Sequence, residues 1–183
     1  MKLYHPFIIG KKIYLRGVER KDFEGPYFQW ANDAEVTTYM FTGLRPNTLE
    51  LLLEDYDRMV KSTQDIVLIV ADKKNNAVIG TAGVFSINWV SRAAELRILI
   101  GEKNYWGKGL GTEVMQLLSR YAFEKLNLNK VWLGVNASHV SGIKAYEKAG
   151  FKHEGTLRQE IYRNGRYYDA RRMSILREEY QTK

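Results

Sequence analysis

The sequence predicts an α/β fold: a mixed, largely antiparallel sheet flanked by helices. Three observations carry that prediction. Short apolar runs bounded by turn residues recur along the chain. Two pairs of such runs are joined by hairpin signals, Asp72-Lys73-Lys74-Asn75-Asn76 and Asn164-Gly165. Between those hairpins a strand-like run, a glycine loop and an amphipathic segment follow one another directly.

Taken in order, Lys12-Ile13-Tyr14-Leu15-Arg16-Gly17-Val18 reads as a first strand. Residues 20–31 have helical spacing, with Phe23, Tyr27 and Trp30 on one face, and Gly25-Pro26 predicts a break or a late helix start there. Thr48 is a cap for a second helix carrying Leu49, Leu52, Leu53, Tyr56 and Val60. Strands are expected at 65–71, 77–87 and 94–100, and a helix over the positions of Leu110, Val114, Leu117, Leu118 and Tyr121. A strand at 130–135 and a helix at 138–149 follow, the latter ended by Gly150. The strands 151–162 and 166–176 close the chain. With no linker, repeat or low-complexity segment, residues 1–183 are read as one domain.

Composition narrows the function. The 183 residues are 45% hydrophobic and suit one packed core. There is no cysteine, so disulfides, thiolate catalysis and cysteine metal sites are excluded. His5, His139 and His153 are not at metal-ligand spacing, and no metal is expected. The start, Met1-Lys2-Leu3-Tyr4-His5-Pro6, has no apolar run for a signal peptide, and no stretch is long enough to span a bilayer; a cytoplasmic protein without a membrane partner is the expectation. The net charge of +7 permits anionic ligands and works against a polycationic substrate.

The segment Tyr105-Trp106-Gly107-Lys108-Gly109-Leu110-Gly111-Thr112 reads as a pyrophosphate site. Glycines let the backbone approach phosphates, and free N–H groups at a helix start point at an anion. No acidic residue lies between Trp106 and Thr112, and Lys108 adds positive charge. A plain turn is the alternative. The string is not a P-loop, and it comes too late in the chain for a dinucleotide fingerprint.

In this order the chain resembles the GNAT family of N-acetyltransferases. The loop at 106–111 resembles the family's Arg/Gln-x-x-Gly-x-Gly/Ala acetyl-CoA motif, and Ala145-Tyr146-Glu147-Lys148-Ala149-Gly150-Phe151 is a second match. The closing segment, Gly155-Thr156-Leu157-Arg158 to Asn164-Gly165-Arg166-Tyr167-Tyr168-Asp169, resembles the subgroup of ribosomal-protein N-terminal acetyltransferases; spermidine and nucleotide-sugar acetyltransferases are similar there. Trp106 stands where the family often has Gln or Arg, and His139 and Gly142 where relatives often have Asn and Ala.

The resemblance implies a GNAT-like sheet whose central strands, 94–100 and 130–136, splay apart and admit acetyl-CoA. The backbone of Ile98, Leu99 and Ile100 would pair with acetyl-pantetheine, with the N–H near Leu99 as oxyanion donor. Trp106, Gly107, Lys108, Gly109, Leu110, Gly111 and Thr112 would hold the diphosphate, with Asn136 and Ser141 contacting the cofactor. Tyr146 would protonate the leaving thiolate, and Glu95 would take the amine's proton. Each has a structural alternative: buried strand for 98–100, helix-packing ring for Tyr146, turn for Asn136, first-turn serine for Ser141, and an ion pair with Arg97 for Glu95.

The acceptor wall is expected in the N-terminal third, at Trp30, Asn32, Asp33, Glu35, Tyr39, Met40 and Phe41. A peptide N-terminus or a nucleotide-linked amino sugar suits the charge, and a polyamine would want more carboxylates. Readings of another class are an acetyl-CoA-binding sensor and a basic nucleic-acid-binding module, although no recognition motif or basic stripe is present. A homodimer follows from the resemblance alone.

Overall fold

The computed structural model describes residues 2–40 and 43–180. Phe41 of the expected acceptor wall and Met1 lie outside the described residues. Among the described residues eight strands form one sheet in the order β1 (Ile8–Ile9), β2 (Ile13–Gly17), β3 (Ile66–Asp72), β4 (Val78–Asn88), β5 (Ala93–Ile100), β6 (Lys130–Asn136), β8 (Arg166–Leu176), β7 (Lys152–Arg163). Every neighbouring pair is antiparallel except β5 with β6.

Alternation along β2 sets the two faces. Ile13 and Leu15 join the main core with α4 (Leu110–Glu124), whereas Arg16 points to the other face and meets Asp22 of α1 (Arg20–Glu24). That Arg16–Asp22 pair is bidentate, at 2.9 and 2.6 Å, with both side chains 3% exposed. A second apolar cluster joins α1, α2 (Pro26–Ala31) and α3 (Leu49–Lys61) through Phe23, Ala31 and Leu52. The Gly25-Pro26 break therefore divides the expected helix in two, because Pro26 has no N–H and starts α2 at its first turn. Thr48 caps α3 by accepting from the Leu51 amide at 3.3 Å.

The remaining helix, α5 (Val140–Ala149), packs beside α4 and buries Ile143 in the main core. Gly150 ends it at φ 105°, in the left-handed region that glycine enters without a Cβ penalty. Asn164 and Gly165 both have positive φ, 49° and 78°, the turn geometry that matches hairpin twist. The pair β1–β2 was not foreseen; two residues are too few for a periodic pattern.

Candidate active site

The parallel strands β5 and β6 pair over three residues only: Ala93 with Lys130, Ala94 with Val131 and Glu95 with Trp132. Beyond Glu95, β5 stays on β4 as far as Ile100, and β6 stays on β8 as far as Asn136. The sheet therefore opens into a wedge whose β5 wall presents backbone with no strand beside it. The splayed strands expected from the resemblance are present in this form.

Which residues face the wedge follows from the ladder. The Gly101 amide donates to the Ile79 carbonyl at 3.0 Å. Two residues back on an antiparallel ladder, Leu99 pairs with Thr81 on the same edge. A Cβ placed on Gly80 would lie 2.0 Å from the Leu99 carbonyl oxygen, so that carbonyl faces β4. In an extended residue the N–H shares the carbonyl's edge. Leu99 thus turns its backbone to β4, which corrects its expected role as oxyanion donor; Ile98 and Ile100 present theirs to the wedge. The Ile100 carbonyl, expected to be open to ligand, accepts from Trp106 Nε1 at 2.7 Å. The indole at the family's Gln/Arg position therefore braces the end of β5.

The glycine loop stands at the open end of β5 and leads into α4. Gly107 and Gly109 have φ of 72° and 78°, and Gly109 is the N-cap of α4. A Cβ on either would meet nothing within 4 Å, so left-handed φ, not crowding, calls for glycine there. Gly111 faces Ile98, whose Cδ1 is 4.0 Å from the position of an added Cβ. The first-turn amides of α4 thus start beside the wedge. The Thr112 hydroxyl is committed elsewhere: it donates to the Ala145 carbonyl at 3.2 Å and ties α4 to α5.

On the β6 side, Asn136 is 4% exposed and its Oδ1 accepts from the Ser138 N–H and hydroxyl at 2.9 and 2.7 Å. Its acceptor is spent on this turn, as the alternative reading had it. Ser141 is an exposed first-turn residue of α5. Tyr146 packs against the main core with its ring edge-on to Phe151, and burial pushes its phenol up to about 12. Its hydroxyl has no hydrogen-bond partner among the described residues.

Leu96 and Ile98 point to the α4 face, so Glu95, Arg97 and Leu99 point to the face that carries α1. Glu95 Oε2 is 2.5 Å from Arg97 Nη2, with the Glu95 side chain 16% exposed; the ion pair expected as the alternative is formed. The Arg97 guanidinium also lies over the Phe85 ring at 4.7 Å.

The residues expected to form the acceptor wall lie at the wide end of the wedge. Trp30 lies against Gly101, where a Cβ would strike the ring, and its Nε1 donates to Glu102 at 3.1 Å. Lys103 bridges Asp33 at 2.8 Å and Glu35 at 2.6 Å, and the Lys103 bond is the chief cause of the lowered Asp33 pKa. Tyr39 stacks on His139, with centroids 4.0 Å apart and planes 8° from parallel. A Cβ on Gly142 would come within 2.6 Å of that imidazole. The two family departures, His139 and Gly142, are therefore one adjustment: the ring needs the space a side chain at 142 would fill. Burial lowers the His139 pKa.

Residues 12–152 match the family model described as an acetyltransferase (GNAT) domain. A spermidine N(1)-acetyltransferase of Vibrio cholerae is 31% identical over 173 residues, covering 94% of this chain and 97% of its own. One from Escherichia coli is 35% identical over 169 residues, covering 92% and 88%. The crystal structure of the Vibrio cholerae spermidine N-acetyltransferase in complex with CoA and spermine superposes with a TM-score of 0.84 at 30% identity, covering 92% of this chain and 97% of that one.

Proposed function

Since the chain belongs to the GNAT acetyltransferase family, we propose that it moves the acetyl group of acetyl-CoA directly to a primary amine presented at the β5–β6 wedge. The observation that carries this reading is the end of β5–β6 pairing at Glu95 and Trp132, beside a helix start headed by two left-handed glycines. The wedge takes acetyl-pantetheine as a substitute strand against Ile98 and Ile100, and the amides of 107–112 take the diphosphate. A gap-facing N–H of Ile98 or Ile100 stabilises the oxyanion as the amine attacks the thioester.

The chemistry then balances through three proton transfers. An alkylammonium with a pKa near ~10 cannot attack until it loses a proton. Glu95 takes that proton through water: Arg97 holds Oε2, and Oε1 has no partner among the described residues. The tetrahedral intermediate expels the CoA sulfur, Tyr146 supplies its proton, and the second proton that the nitrogen sheds as the amide forms returns to the Tyr146 phenolate through water. Glu95→Gln is expected to lower kcat/KM for the amine while leaving acetyl-CoA affinity close to wild type. A variant with wild-type kcat/KM removes Glu95 from the mechanism.

The acceptor is a peptide N-terminus or a small-molecule amine. A polyamine is a second reading, favoured by the carboxylates of Asp33, Glu35 and Glu102 gathered around Lys103 and Trp30 and by what the two relatives' names say they acetylate. Calorimetric titration with acetyl-CoA, with ADP as competitor, tests the cofactor half. Micromolar binding weakened by ADP is expected, followed by turnover with one class in a screen of N-terminal peptides, amino sugars and polyamines. Absence of binding by folded protein overturns the proposal. Binding without turnover of any amine identifies a sensor.

A further inference from the structure

The turn between β1 and β2 approaches the glycine loop from a distant part of the chain. Lys12 Nζ donates to the Lys108 carbonyl at 3.1 Å, across 96 residues of sequence. The Lys12 backbone N–H donates to Glu113 Oε1 at 2.8 Å, and the Ile13 N–H approaches the same oxygen at 3.4 Å. Gly10 makes room for that carboxylate, since a Cβ there would lie 2.5 Å from it. Glu113 is the acidic residue in the first turn of α4, so its charge is drawn toward two amides of the turn.

The contact with Lys108 has a geometric consequence. In a trans peptide the C=O and the following N–H point in opposite directions, and no cis bond is present among the described residues. Holding the Lys108 carbonyl toward Lys12 therefore aims the Gly109 N–H the other way. The left-handed Gly109 then carries that donor into the start of α4, as in an anion nest. Lys12 does not need to touch the ligand to matter: it fixes the plane of the one peptide that joins Lys108 to the helix cap.

We propose that Lys12 is a positioning residue for the acetyl donor, holding the Lys108–Gly109 peptide in the orientation that presents the Gly109 N–H to the diphosphate. This rests on the reading of the loop as the diphosphate site. Lys12→Met keeps the side chain's apolar stem and the backbone bond to Glu113 while removing the ammonium. It is expected to raise the Kd for acetyl-CoA roughly tenfold, the worth of one charge-assisted hydrogen bond. The kcat at saturation and the KM for the amine stay as in wild type, and Lys12→Arg restores affinity to within about threefold.

S-acetylpantetheine, which carries the thioester but no diphosphate, separates positioning from collapse. Its turnover by Lys12→Met is expected to equal that by the wild type. Wild-type acetyl-CoA affinity in Lys12→Met, failure of Lys12→Arg to restore it, or equal losses with both donors would overturn the proposal. Gly109→Glu run alongside distinguishes this from failure of the loop reading: if Gly109→Glu also binds normally, the loop does not hold phosphate at all.

Discussion

Tyr146→Phe is expected to lower kcat by roughly a hundredfold, the low end of what a positioned general acid contributes, with acetyl-CoA affinity within about twofold of wild type. The substitution deletes one oxygen and keeps the ring. The ring is what packs, edge-on to Phe151 and against the main core, so the fold loses little. The hydroxyl has no protein acceptor among the described residues, so no buried partner is orphaned by its removal. What is lost is the group that the proposed mechanism uses to protonate the departing sulfur. Because burial holds the phenol near about 12, it stays protonated throughout the working pH range. An acid must be protonated to act, so its own alkaline fall lies near that pKa, and a fall in wild-type kcat well below it belongs to another group. Unchanged turnover in Tyr146→Phe would remove this residue from the mechanism and leave the thiolate to depart unassisted.

Local chemistry was legible in the sequence wherever neighbouring residues decide it. Thr48 caps α3, Gly25-Pro26 divides the first helical segment, and Asn164-Gly165 turns the last hairpin, each through a conformational preference its own residues impose. The glycine loop and its helix were legible for the same reason. What sequence could not supply was which edge of a strand each backbone faces. Alternation fixes side chains to a face, but only the register with β4 reveals that Leu99 presents its amide to Thr81 while Ile98 and Ile100 look into the wedge. Contacts between distant segments were equally hidden. Trp106 looked like a lost cofactor contact until its indole met the Ile100 carbonyl. His139 and Gly142 looked like two separate departures until Tyr39, a hundred residues away, stacked on the imidazole. Their signal was present as a pair of unusual residues three apart on one helix start, which is the spacing at which side chains meet. The carboxylates of Asp33 and Glu35 were visible as few and scattered; that one lysine ammonium sits between both required the fold.

Gly109→Glu is expected to weaken acetyl-CoA binding by several hundredfold, and the comparison with Gly109→Ala isolates why. Both variants force a side chain into φ 78°, a left-handed conformation that costs about 1–2 kcal/mol for a residue with a Cβ. Neither Cβ would strike the protein, since nothing lies within 4 Å of that position. Gly109→Ala therefore reports strain at the N-cap alone, with a small loss of thermal stability and a loss of affinity of about tenfold or less. Gly109→Glu adds a carboxylate where the proposed mechanism puts the diphosphate. Two like charges about 4 Å apart at an effective dielectric near 20 repel by about 4 kcal/mol, and each ~1.4 kcal/mol is a factor of ten in affinity. Repulsion thus outweighs strain, and the two variants separate by far more than their folding does. Melting temperatures within a few degrees of each other confirm that the comparison is between folded proteins. Added salt partly restores binding to Gly109→Glu, because the repulsion is exposed to solvent and screened, and leaves Gly109→Ala relatively unmoved. If Gly109→Glu instead binds as tightly as Gly109→Ala, no phosphate comes near the N-cap of α4, and the cofactor must enter the wedge by a route that does not use the glycine loop.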